Sequence, residues 1–576
     1  MINQPEMNRS RHLQQLANET FDLLVIGGGI SGACLAYDAV CRGLSVALIE
    51  KEDFGGATSA SSSGVLHGGI RYLQQGRIDK VRESAFERVR FQNLAPHLSH
   101  YISFLVPTFP QISKGKLALR MALWAYAIAG AGQNRIARND EIMVPPASLI
   151  DAEKLRRMVP ILQDNAEITG AAVLPEALME NAERMTLAFV TGAARNDASV
   201  ANYVRAESTR SNEGGERVTS VRDAITGDTF DITSRVVANC AGPWIAGVND
   251  RLLGTARAPI TGYSRGAHIV VRDIDLAHAV ALPTKQQIQG FTDRGGRHMF
   301  LIPWRGHALI GTSYAAHDDS LDAVTPLADD MDQLVAGIND ALGTRLVTEE
   351  KICHAWAGIY PLTASNVDAS VYQGTGDYSV IDHERADNVP GYVSVFGAKF
   401  TTARLLAEKA CNLIVKKLPG TYEPCRTRDA PLPSGRFESL ASLRRQVTQR
   451  AGDAVSAETL DALIRSYGVD ALDLLDMIES DSRLAGELCD DRTILHAEIL
   501  FAARFEMVAR LDDFVFRRTG LGTLGDPGDH ALRTCAESLG VELGWSAERV
   551  EEELRRTRSQ FPVRKSPSST ERLVTA

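Results

Sequence analysis

The chain has 576 residues, with 62 basic and 72 acidic side chains and a formal net charge of −10. This length predicts several domains, since a domain usually takes roughly 100–200 residues. Apolar residues at 44% and charged residues at 23% exclude wholesale disorder or a fibrous repeat, and the acidic balance argues against a nucleic-acid partner. The eight cysteines form no CxxC pair, so we predict no metal site and expect reduced thiols in a cytoplasmic protein.

The amino terminus carries no signal for export. Residues 1–20 are polar, lack the apolar centre of a signal peptide and are predicted to be flexible. The longest apolar run, residues 121–132, falls short of the ~20 residues that cross a bilayer. The chain is therefore not expected to span a membrane.

A strand–helix–strand unit is predicted directly after this segment. Residues 22–26 form a short apolar run, a helical stretch follows from about residue 31 to 42, and a second apolar run at 46–49 ends at Glu50. Because a helix joins the two strands, they are expected to pair in parallel.

The turn between the first strand and the helix has the pattern GxGxxG, formed by Gly27, Gly29 and Gly32. In this pattern Gly27 permits the tight turn, Gly29 lets a pyrophosphate approach the backbone, and Gly32 lets the helix pack closely on the strand. The amino end of the helix attracts phosphates, and Glu50 is placed to accept the ribose hydroxyls of an adenosine. The unit therefore predicts a dinucleotide site, and a glycine turn without a ligand is the less favoured alternative.

The loop after the second strand favours FAD among the dinucleotides. Residues 51–64 are small and rich in hydroxyl groups, whereas nicotinamide enzymes of this type usually continue with further strand–helix repeats. A loop of this kind suits a larger cofactor whose pyrophosphate and ring system pass along the backbone.

Strand patterns dominate the middle of the chain, and helical patterns follow. We predict a strand at 268–271, a hairpin that joins 299–302 to 308–310, and a helix from about 402 to 417. The proline-rich residues 418–435 are the predicted linker.

Beyond the linker the patterns are helical. One apolar face runs from Leu460 to Tyr467 and ends at Gly468. Further helices are predicted from about residue 493 to 518, and from an N-cap at Ser546 to about residue 560.

Six separated motifs resemble those of the FAD-dependent glycerol-3-phosphate dehydrogenase family, within the D-amino-acid-oxidase-like flavoproteins. In chain order they are ATSASSSGVLHGGIRYL at 57–73, NCAGPW at 239–244, RGAHIVV at 265–271, IPW with IGT at 302–304 and 310–312, SVFGAKFTT at 394–402, and LDD with FRRT at 511–513 and 516–519. The resemblance covers nearly the whole chain.

The resemblance implies an α/β (α+β) fold with three parts. These are a Rossmann-type FAD-binding domain, an interleaved antiparallel substrate-binding sheet, and an all-helical carboxy-terminal domain. The expected boundaries are 21–417 for the first two parts, with the substrate part mainly at 80–180 and 255–375, then the linker 418–435, the helical domain 436–562 and a disordered tail 563–576.

The resemblance also implies a function. In the family, a hydride leaves the carbinol carbon of sn-glycerol 3-phosphate for FAD, which gives dihydroxyacetone phosphate. Electrons then pass to a membrane quinone, or to oxygen in oxidase members. We therefore expect a polyol phosphate substrate, a quinone acceptor and attachment to the inner face of the cell membrane, and a homodimer is a further assembly to test.

The family motifs place a set of residues around cofactor and substrate. Expected FAD contacts are Gly27, Gly28, Gly29, Ile30, Ser31, Gly32, Glu50, Lys51, Thr58, Ser59, Ser62, Gly64, Leu66, His67, Val204, Gly242, Trp244, Gly397, Lys399, Phe400 and Thr401. Expected substrate contacts are Arg71, Tyr72, Arg265, His268, Tyr314, Tyr360 and Lys399.

Three of these residues are the catalytic candidates. Arg71 and Lys399 are the cations that the resemblance places around a substrate phosphate. His268 is the candidate proton acceptor, because imidazole titrates near neutrality. A purely structural role for His268 remains an equal alternative.

The chain departs from the family at three positions. Gly64 stands where the family loop has a lysine, Tyr360 replaces an arginine, and Tyr314 replaces an aspartate. These changes keep two alternatives open. One is a flavin oxidoreductase for another polyol, a hydroxy acid or an amine, and the other is a flavin-binding protein without turnover.

Residues 114–131 form an apolar helical stretch with a tryptophan and basic residues at its start. Such a helix can lie in a bilayer interface. An ordinary core helix is about equally compatible with the pattern, and membrane attachment in the family slightly favours the interface.

Overall fold

The computed structural model describes residues 4–110, 116–255, 257–283, 298–322, 324–363, 377–397 and 399–561. The tail 563–576, which was predicted to be disordered, lies outside these residues. Among the helices of the described ranges, none combines the length and the apolar character needed to cross a bilayer.

The strands form two large sheets and one small hairpin within the described residues. In chain order they are Thr20–Ile26 (β1), Val46–Ile49 (β2), Val65–Leu66 (β3), His100–Thr108 (β4), Ser148–Asp151 (β5), Gly170–Leu178 (β6), Ser199–Ala201 (β7), Val204–Ser211 (β8), Arg217–Asp223 (β9), Thr229–Asn239 (β10), Gly262–Val271 (β11), Ala279–Pro283 (β12), His298–Trp304 (β13), His307–Gly311 (β14), Ala315–Ala316 (β15), Ile352–Leu362 (β16), Tyr378–Asp382 (β17), Tyr392–Gly397 (β18), Glu487–Cys489 (β19) and Arg492–Leu495 (β20).

The helices pack on these sheets or form the carboxy-terminal part. In chain order they are Arg9–Asn18 (α1), Ile30–Cys41 (α2), Ile78–Leu94 (α3), Lys116–Ala129 (α4), Ala152–Met158 (α5), Ala182–Ala194 (α6), Ile245–Leu253 (α7), Ala328–Leu342 (α8), His383–Asp387 (α9), Ala403–Ile414 (α10), Leu440–Ala451 (α11), Ala457–Tyr467 (α12), Ala471–Ser480 (α13), His496–Phe505 (α14), Asp529–Leu543 (α15) and Ala547–Arg558 (α16).

The first sheet carries the predicted strand–helix–strand unit. Its order is β17-β18-β10-β1-β2-β7, and β9 and β8 continue from β10. β1 pairs in parallel with β2 and with β10, and β10 pairs in parallel with β18. α2 packs against α6 and α10 on one side of this sheet. The parallel pairing expected for β1 and β2 is confirmed.

The second sheet has the order β15-β11-β14-β13-β12-β4-β6-β3, with β16 on β11 and β5 on β6. The pairing is antiparallel except between β12 and β4, and β13 and β14 form the predicted hairpin. α8 packs on one face through Leu334 and Ile338. Along the chain, groups of strands of the second sheet alternate with groups of strands of the first sheet. The two sheets are therefore interleaved, as expected.

The carboxy-terminal part is mainly helical, with two corrections. β19 and β20 form a hairpin around the turn-forming Asp490 and Asp491, so this part is not all-helical. The single helix predicted from about 493 to 518 is also wrong. It is divided into α14 and a π-helical turn, Asp513–Arg518, because Met507 has a φ of 50°, which an α-helix does not allow.

Two other predicted helices of this part are confirmed. α12 ends at Tyr467 with Gly468 as its C-cap. α16 begins after Ser546, whose side chain accepts a hydrogen bond from the backbone N–H of Arg549.

The segment 1–20, which was predicted to be flexible, instead contains the docked helix α1. His12 and Leu16 are buried on one face of this helix. Arg9 forms a two-pronged ion pair with Asp223 at 2.8 and 2.9 Å and also donates to the carbonyl of Asn202. The sequence reading missed this amphipathic face because polar residues dominate the segment.

The proline-rich residues 418–435 pack closely on the FAD-binding part. Leu432 is fully buried, and its backbone N–H donates to the carbonyl of Leu94 at 2.9 Å. The Thr427 hydroxyl donates to Asp38 on α2 at 2.9 Å. This connection therefore holds the carboxy-terminal part close to α2 and α3.

Candidate active site

Several turns converge at one edge of the first sheet. They follow the carboxyl ends of four neighbouring parallel strands, which lie in the order β18, β10, β1 and β2. Open α/β sheets bind ligands at this edge. The expected FAD contacts of the glycine turn, Glu50, the 239–244 turn and Gly397 at the end of β18 therefore belong to one crevice.

The glycine turn after β1 is shaped to leave its backbone open. Gly27 has a φ of 110°, and a Cβ there would lie 2.8 Å from the carbonyl oxygen of Cys240. A Cβ at Gly32 would overlap the carbonyl oxygen of Gly27. α2 therefore begins in direct contact with the turn, and its amino end, with Gly29 as N-cap, faces the crevice. This cradle fits the pyrophosphate of a dinucleotide.

Hydroxyl side chains of the following loop close the same turn. The backbone N–H of Ile30, the first residue of α2, donates to the Ser59 hydroxyl at 3.0 Å. Ser31 is half-buried next to it. The Ser59 hydroxyl thus satisfies one of the free N–H groups at the amino end of α2.

Glu50 is fixed at the end of β2 by backbone groups. Its carboxylate accepts the N–H of Gly28 at 2.7 Å and the N–H of Glu52 at 2.9 Å. Burial raises the pKa of this carboxyl, and the two N–H donors oppose that shift. The N–H of Val204 donates to the Glu50 carbonyl at 2.7 Å, which places Val204 beside the expected adenosine.

The second turn, after β10, meets Lys51 at the same end of the crevice. Gly242 has a φ of 52°, with open space where a side chain would project. The indole N–H of Trp244 donates to Asp322 at 2.7 Å. The Lys51 ammonium lies 4.2 Å from the centre of the Trp244 ring and pairs with Asp322. Lys51, Gly242 and Trp244 are therefore together, as expected for cofactor contacts.

The loop 51–64 lies across the second sheet. The Thr58 hydroxyl donates to the carbonyl of Ile359 at 3.1 Å, and a Cβ at Gly358 would lie 2.7 Å from the Cβ of Ser61. The loop thus joins the nucleotide crevice of the first sheet to β16 of the second sheet.

The backbone conformation at residue 64 explains why this chain has a glycine there and not the lysine of the family motif. The φ of Gly64 is 67°, and a Cβ there would overlap the carbonyl oxygen of Met179. The N–H of Met179 donates to the Gly64 carbonyl at 2.7 Å, and the N–H of Gly64 donates to Ser62. This backbone leaves no room for the lysine of the family motif.

A buried ion pair lies behind the HGG turn of the flavin motif. Glu176 accepts the N–H of Gly68 at 2.6 Å and pairs with Arg88 at 3.0 Å, and its other oxygen lies 3.9 Å from Nδ1 of His67. Burial raises the pKa of Glu176, but the contacts with His67 and Arg88 outweigh burial and lower it. The N–H of His67 donates to Thr401 at 3.3 Å, so this turn contacts the start of the segment that leads into α10.

Lys399 lies beside the same turn and is half-buried. Its ammonium donates to the Ser84 hydroxyl at 2.5 Å and lies 4.7 Å from the centre of the Tyr72 ring. Burial lowers the pKa of Lys399 to about 7, and the charge of Glu176 opposes that shift. Arg71, the neighbour of Tyr72, has an exposed side chain. The structure therefore brings Lys399, Tyr72 and the HGG turn together.

The remaining expected FAD contacts flank Lys399 and the HGG turn. Leu66 is buried in β3 and pairs with Ala177, Gly397 ends β18, and the Phe400 ring packs on Phe91 with centroids 5.8 Å apart.

A row of side chains crosses the second sheet next to the HGG turn. The His268 ring stacks on Trp356 at 5.8 Å and covers Gly311, where a Cβ would overlap the imidazole. Phe300 lies opposite Gly311 on the next strand, and its ring is 6.4 Å from the His67 ring. His268 and His67 therefore share one face of the sheet.

Arg265 lies on the other face of the sheet. It is three positions before His268 on β11, so strand alternation separates the two side chains. Its guanidinium donates to Asp330 on α8 at 3.1 Å in a buried ion pair. The structure therefore does not bring Arg265 together with His268.

The two tyrosines that replace family residues are both half-buried. Tyr360 is four positions after Trp356 on β16, so the two side chains lie on the same face of the sheet, which is also the face of His268. Tyr314 follows β14 directly before β15.

Sequence reasoning missed three charged residues near these turns. Glu176 and Arg88 support the HGG turn, and Asp53 follows Glu50 by three positions. The signal for Glu176 was a single carboxylate within the apolar run of β6, and Arg88 had no signal beyond its place on the buried side of α3.

Comparison with known proteins agrees with this geometry. Residues 22–413 match the family model described as FAD dependent oxidoreductase, and residues 425–550 match the model described as C-terminal domain of alpha-glycerophosphate oxidase. A glycerol-3-phosphate dehydrogenase from Synechocystis is 28% identical over 95% of this chain and 97% of its own length. An aerobic glycerol-3-phosphate dehydrogenase from Staphylococcus haemolyticus is 28% identical over 89% of both chains.

Solved structures share the fold. The glycerol-3-phosphate dehydrogenase from Bacillus halodurans, complexed with FAD, has a TM-score of 0.73 at 22% identity and covers 96% of both chains. The L-alpha-glycerophosphate oxidase from Mycoplasma pneumoniae, with FAD bound, has a TM-score of 0.53 at 18% identity and covers 72% of this chain and 99% of its own. With the glycine turn, Glu50 and the HGG turn in one crevice, the chain belongs to the FAD-dependent glycerol-3-phosphate dehydrogenase and oxidase family of oxidoreductases.

Proposed function

We propose that this enzyme oxidises sn-glycerol 3-phosphate to dihydroxyacetone phosphate and passes the electrons to a membrane quinone. The observation that carries the proposal is the half-buried side chain of Lys399, which lies beside Tyr72 and the HGG turn. A lysine partly withdrawn from water suits a substrate phosphate. The names of the relatives support the same substrate.

The reaction needs a hydride acceptor and a proton acceptor. Bound FAD supplies the first, because its isoalloxazine ring takes up hydride. We assign the second to His268. Burial lowers its pKa to about 4, so the imidazole is neutral at pH 7 and able to take the hydroxyl proton. Its Nδ1 is buried and has no hydrogen-bond partner among the described residues, and in this proposal a substrate hydroxyl supplies the partner that a buried polar atom ordinarily has.

Recognition of the phosphate is assigned to Lys399, with Arg71 and Tyr72 beside it. Partial burial of Lys399 strengthens a charge-assisted hydrogen bond from its ammonium group, whereas the exposed Arg71 contributes less. Arg265 is already paired with Asp330, so in this proposal it does not bind the phosphate.

A second candidate is the oxidation of a less charged polyol or hydroxy acid. It is favoured by Tyr360 on the His268 face, where the family has an arginine, and by the closed backbone at Gly64. Both changes remove positive charge near the reacting centre.

Turnover with a dye acceptor separates the two candidates. We expect kcat/KM for sn-glycerol 3-phosphate to exceed that for glycerol, glycerate and amino acids, since glycerol has no anionic group for Lys399 and a carboxylate carries less charge than a phosphate. Reduction of a quinone analogue without matching peroxide would support the quinone as acceptor. A preference for glycerol over its phosphate would favour the second candidate.

The role of His268 predicts a strong effect at Gly311. Gly311→Ala would force the imidazole away from its position, and we expect kcat to fall by ~100-fold or more, in line with the loss of a general base. FAD content should stay unchanged. Gly262→Ala, on β11 and with its nearest neighbour at 3.7 Å, is the matched control. Unchanged kcat in Gly311→Ala would contradict this role of His268.

The helix α4 provides the surface for membrane attachment in this proposal. Leu117, Met121, Trp124 and Ile128 form one stripe along it, and their exposed fractions are 75%, 59%, 65% and 53%. Apolar side chains at this spacing, with the exposed Arg120 beside them, suit the interface of an anionic bilayer. α4 packs on the turn Ile70–Gln75 that carries Arg71, so a bound membrane would lie near the active site.

Charged residues in this stripe are expected to release the enzyme from membranes. For the variant Met121→Glu with Trp124→Glu, we expect binding to phosphatidylglycerol vesicles to fall by ~10-fold or more, because two apolar side chains no longer enter the interface. Turnover with a soluble dye should be unchanged. Val541→Glu, at a residue 83% exposed on α15, is the control. Equal vesicle binding by the parent, the double variant and Val541→Glu would contradict the assignment of this surface.

A further inference from the structure

The motif LDD with FRRT at 511–519 belongs to the carboxy-terminal part, and both of its arginines contact the FAD-binding part. They lie in the π-helical turn Asp513–Arg518 and meet at Asp53. Arg517 donates to Asp53 through Nε at 2.7 Å, and Arg518 donates through both terminal nitrogens at 2.7 and 2.9 Å.

This contact is deeply buried, and Arg517 also pairs with Asp512 at 3.2 Å and with Asp513 at 2.6 Å. Asp53 is 2% exposed and Arg518 is 1% exposed. Burial raises the pKa of Asp53, but the charges of Arg518 and Arg517 outweigh burial and lower it. The Asn202 amide also donates to Asp53 at 2.9 Å. The carboxylate is therefore charged, and removal of one partner would leave a buried charge unpaired.

Asp53 belongs to the loop that closes the nucleotide turn. It follows Glu50 by three residues. The Gly55 N–H donates to the Gly28 carbonyl at 3.0 Å, and the Phe54 ring lies 2.7 Å from where a Gly28 Cβ would be. Residues 53–55 thus pack directly on the glycine turn, and the anchor at Asp53 determines where they lie.

We propose that the helical carboxy-terminal domain retains FAD through this anchor. Arg517 and Arg518 are positioning residues that act through Asp53 and the loop 53–55 and do not touch the substrate. When the anchor is broken, the loop leaves the glycine turn more often and FAD dissociates faster. The inference depends on FAD as cofactor and is independent of which alcohol the enzyme oxidises.

The test is the rate of FAD release from the purified holoenzyme, followed by the rise in free-flavin fluorescence after dilution. We expect Arg518→Gln and Asp53→Asn each to release FAD ~10- to 100-fold faster than the parent, as expected for lost charge-assisted hydrogen bonds. The double variant should be less affected than the product of the single effects, because both changes remove one interaction. Arg518→Lys, which keeps the charge, should restore part of the retention.

A matched control separates the anchor from domain docking in general. Arg195 pairs with Asp470 of the carboxy-terminal part at 2.7 Å, away from the loop. Arg195→Gln should release FAD at the parent rate. Equal acceleration in Arg195→Gln, or parent-like release in a folded Arg518→Gln, would overturn the proposal. If Arg518→Gln does not fold, Arg517→Gln answers the same question, with faster release supporting the anchor and parent-like release opposing it.

Discussion

Replacing Gly32 with alanine is expected to yield a colourless protein. The added methyl group would overlap the carbonyl oxygen of Gly27, so α2 would have to move away from the turn that forms the pyrophosphate cradle. Overpacking of this kind costs ~1–3 kcal/mol or more, which predicts a loss of FAD affinity of ~5- to 150-fold or more. The flavin-to-protein ratio after purification and a titration of the apoprotein with FAD measure this effect.

Gly247→Ala is the control for this prediction. Gly247 lies in α7, and no atom lies within 4 Å of the position that its Cβ would occupy. This variant should keep the yellow colour and the parent affinity. A fully yellow Gly32→Ala protein would mean that the cofactor does not bind across the glycine turn.

Replacing Lys399 with methionine is expected to remove most of the activity. The methionine keeps a similar volume and loses the ammonium, so kcat/KM for the phosphorylated substrate should fall by ~10- to 100-fold, the value of a lost charge-assisted hydrogen bond. The effect should appear chiefly in KM, and kcat/KM for unphosphorylated glycerol should change little. Equal losses for both alcohols would argue against phosphate recognition by Lys399.

The pKa of Lys399 adds a pH dependence to this prediction. Because burial lowers that pKa to about 7, the side chain is a cation below pH 7 and loses its charge as the pH rises through 7. In the parent, kcat/KM should therefore decline above pH 7. Lys399→Arg should lack this decline, since guanidinium stays protonated throughout. A parallel decline in both proteins would assign it to another group.

Much of the nucleotide crevice could be predicted from the sequence, because local patterns specify it. The strand–turn–helix–strand order around Gly27, Gly29 and Gly32 predicts a parallel unit, and the acid at the end of the second strand marks the ribose end. The structure has β1, α2 and β2 in this arrangement. The hairpin β13–β14 could also be predicted from a local sequence pattern.

The remaining parts depend on contacts between distant residues. The anchor at Asp53 joins residues more than four hundred positions apart, and no local pattern marks Asp53 as the partner of Arg518. The docked helix α1 was missed for the same reason, since its partner Asp223 lies far along the chain. The position of Arg265 on the α8 face follows from strand alternation, which a motif match does not consider.

The central claim is that sn-glycerol 3-phosphate donates a hydride to FAD held in this crevice. It is tested most directly by mixing the purified holoenzyme with this compound without oxygen and recording the visible spectrum. The account predicts that the oxidised-flavin absorbance disappears and that dihydroxyacetone phosphate forms in equal amount to the flavin. A flavin that stays oxidised with this substrate, yet is bleached by dithionite, would contradict it.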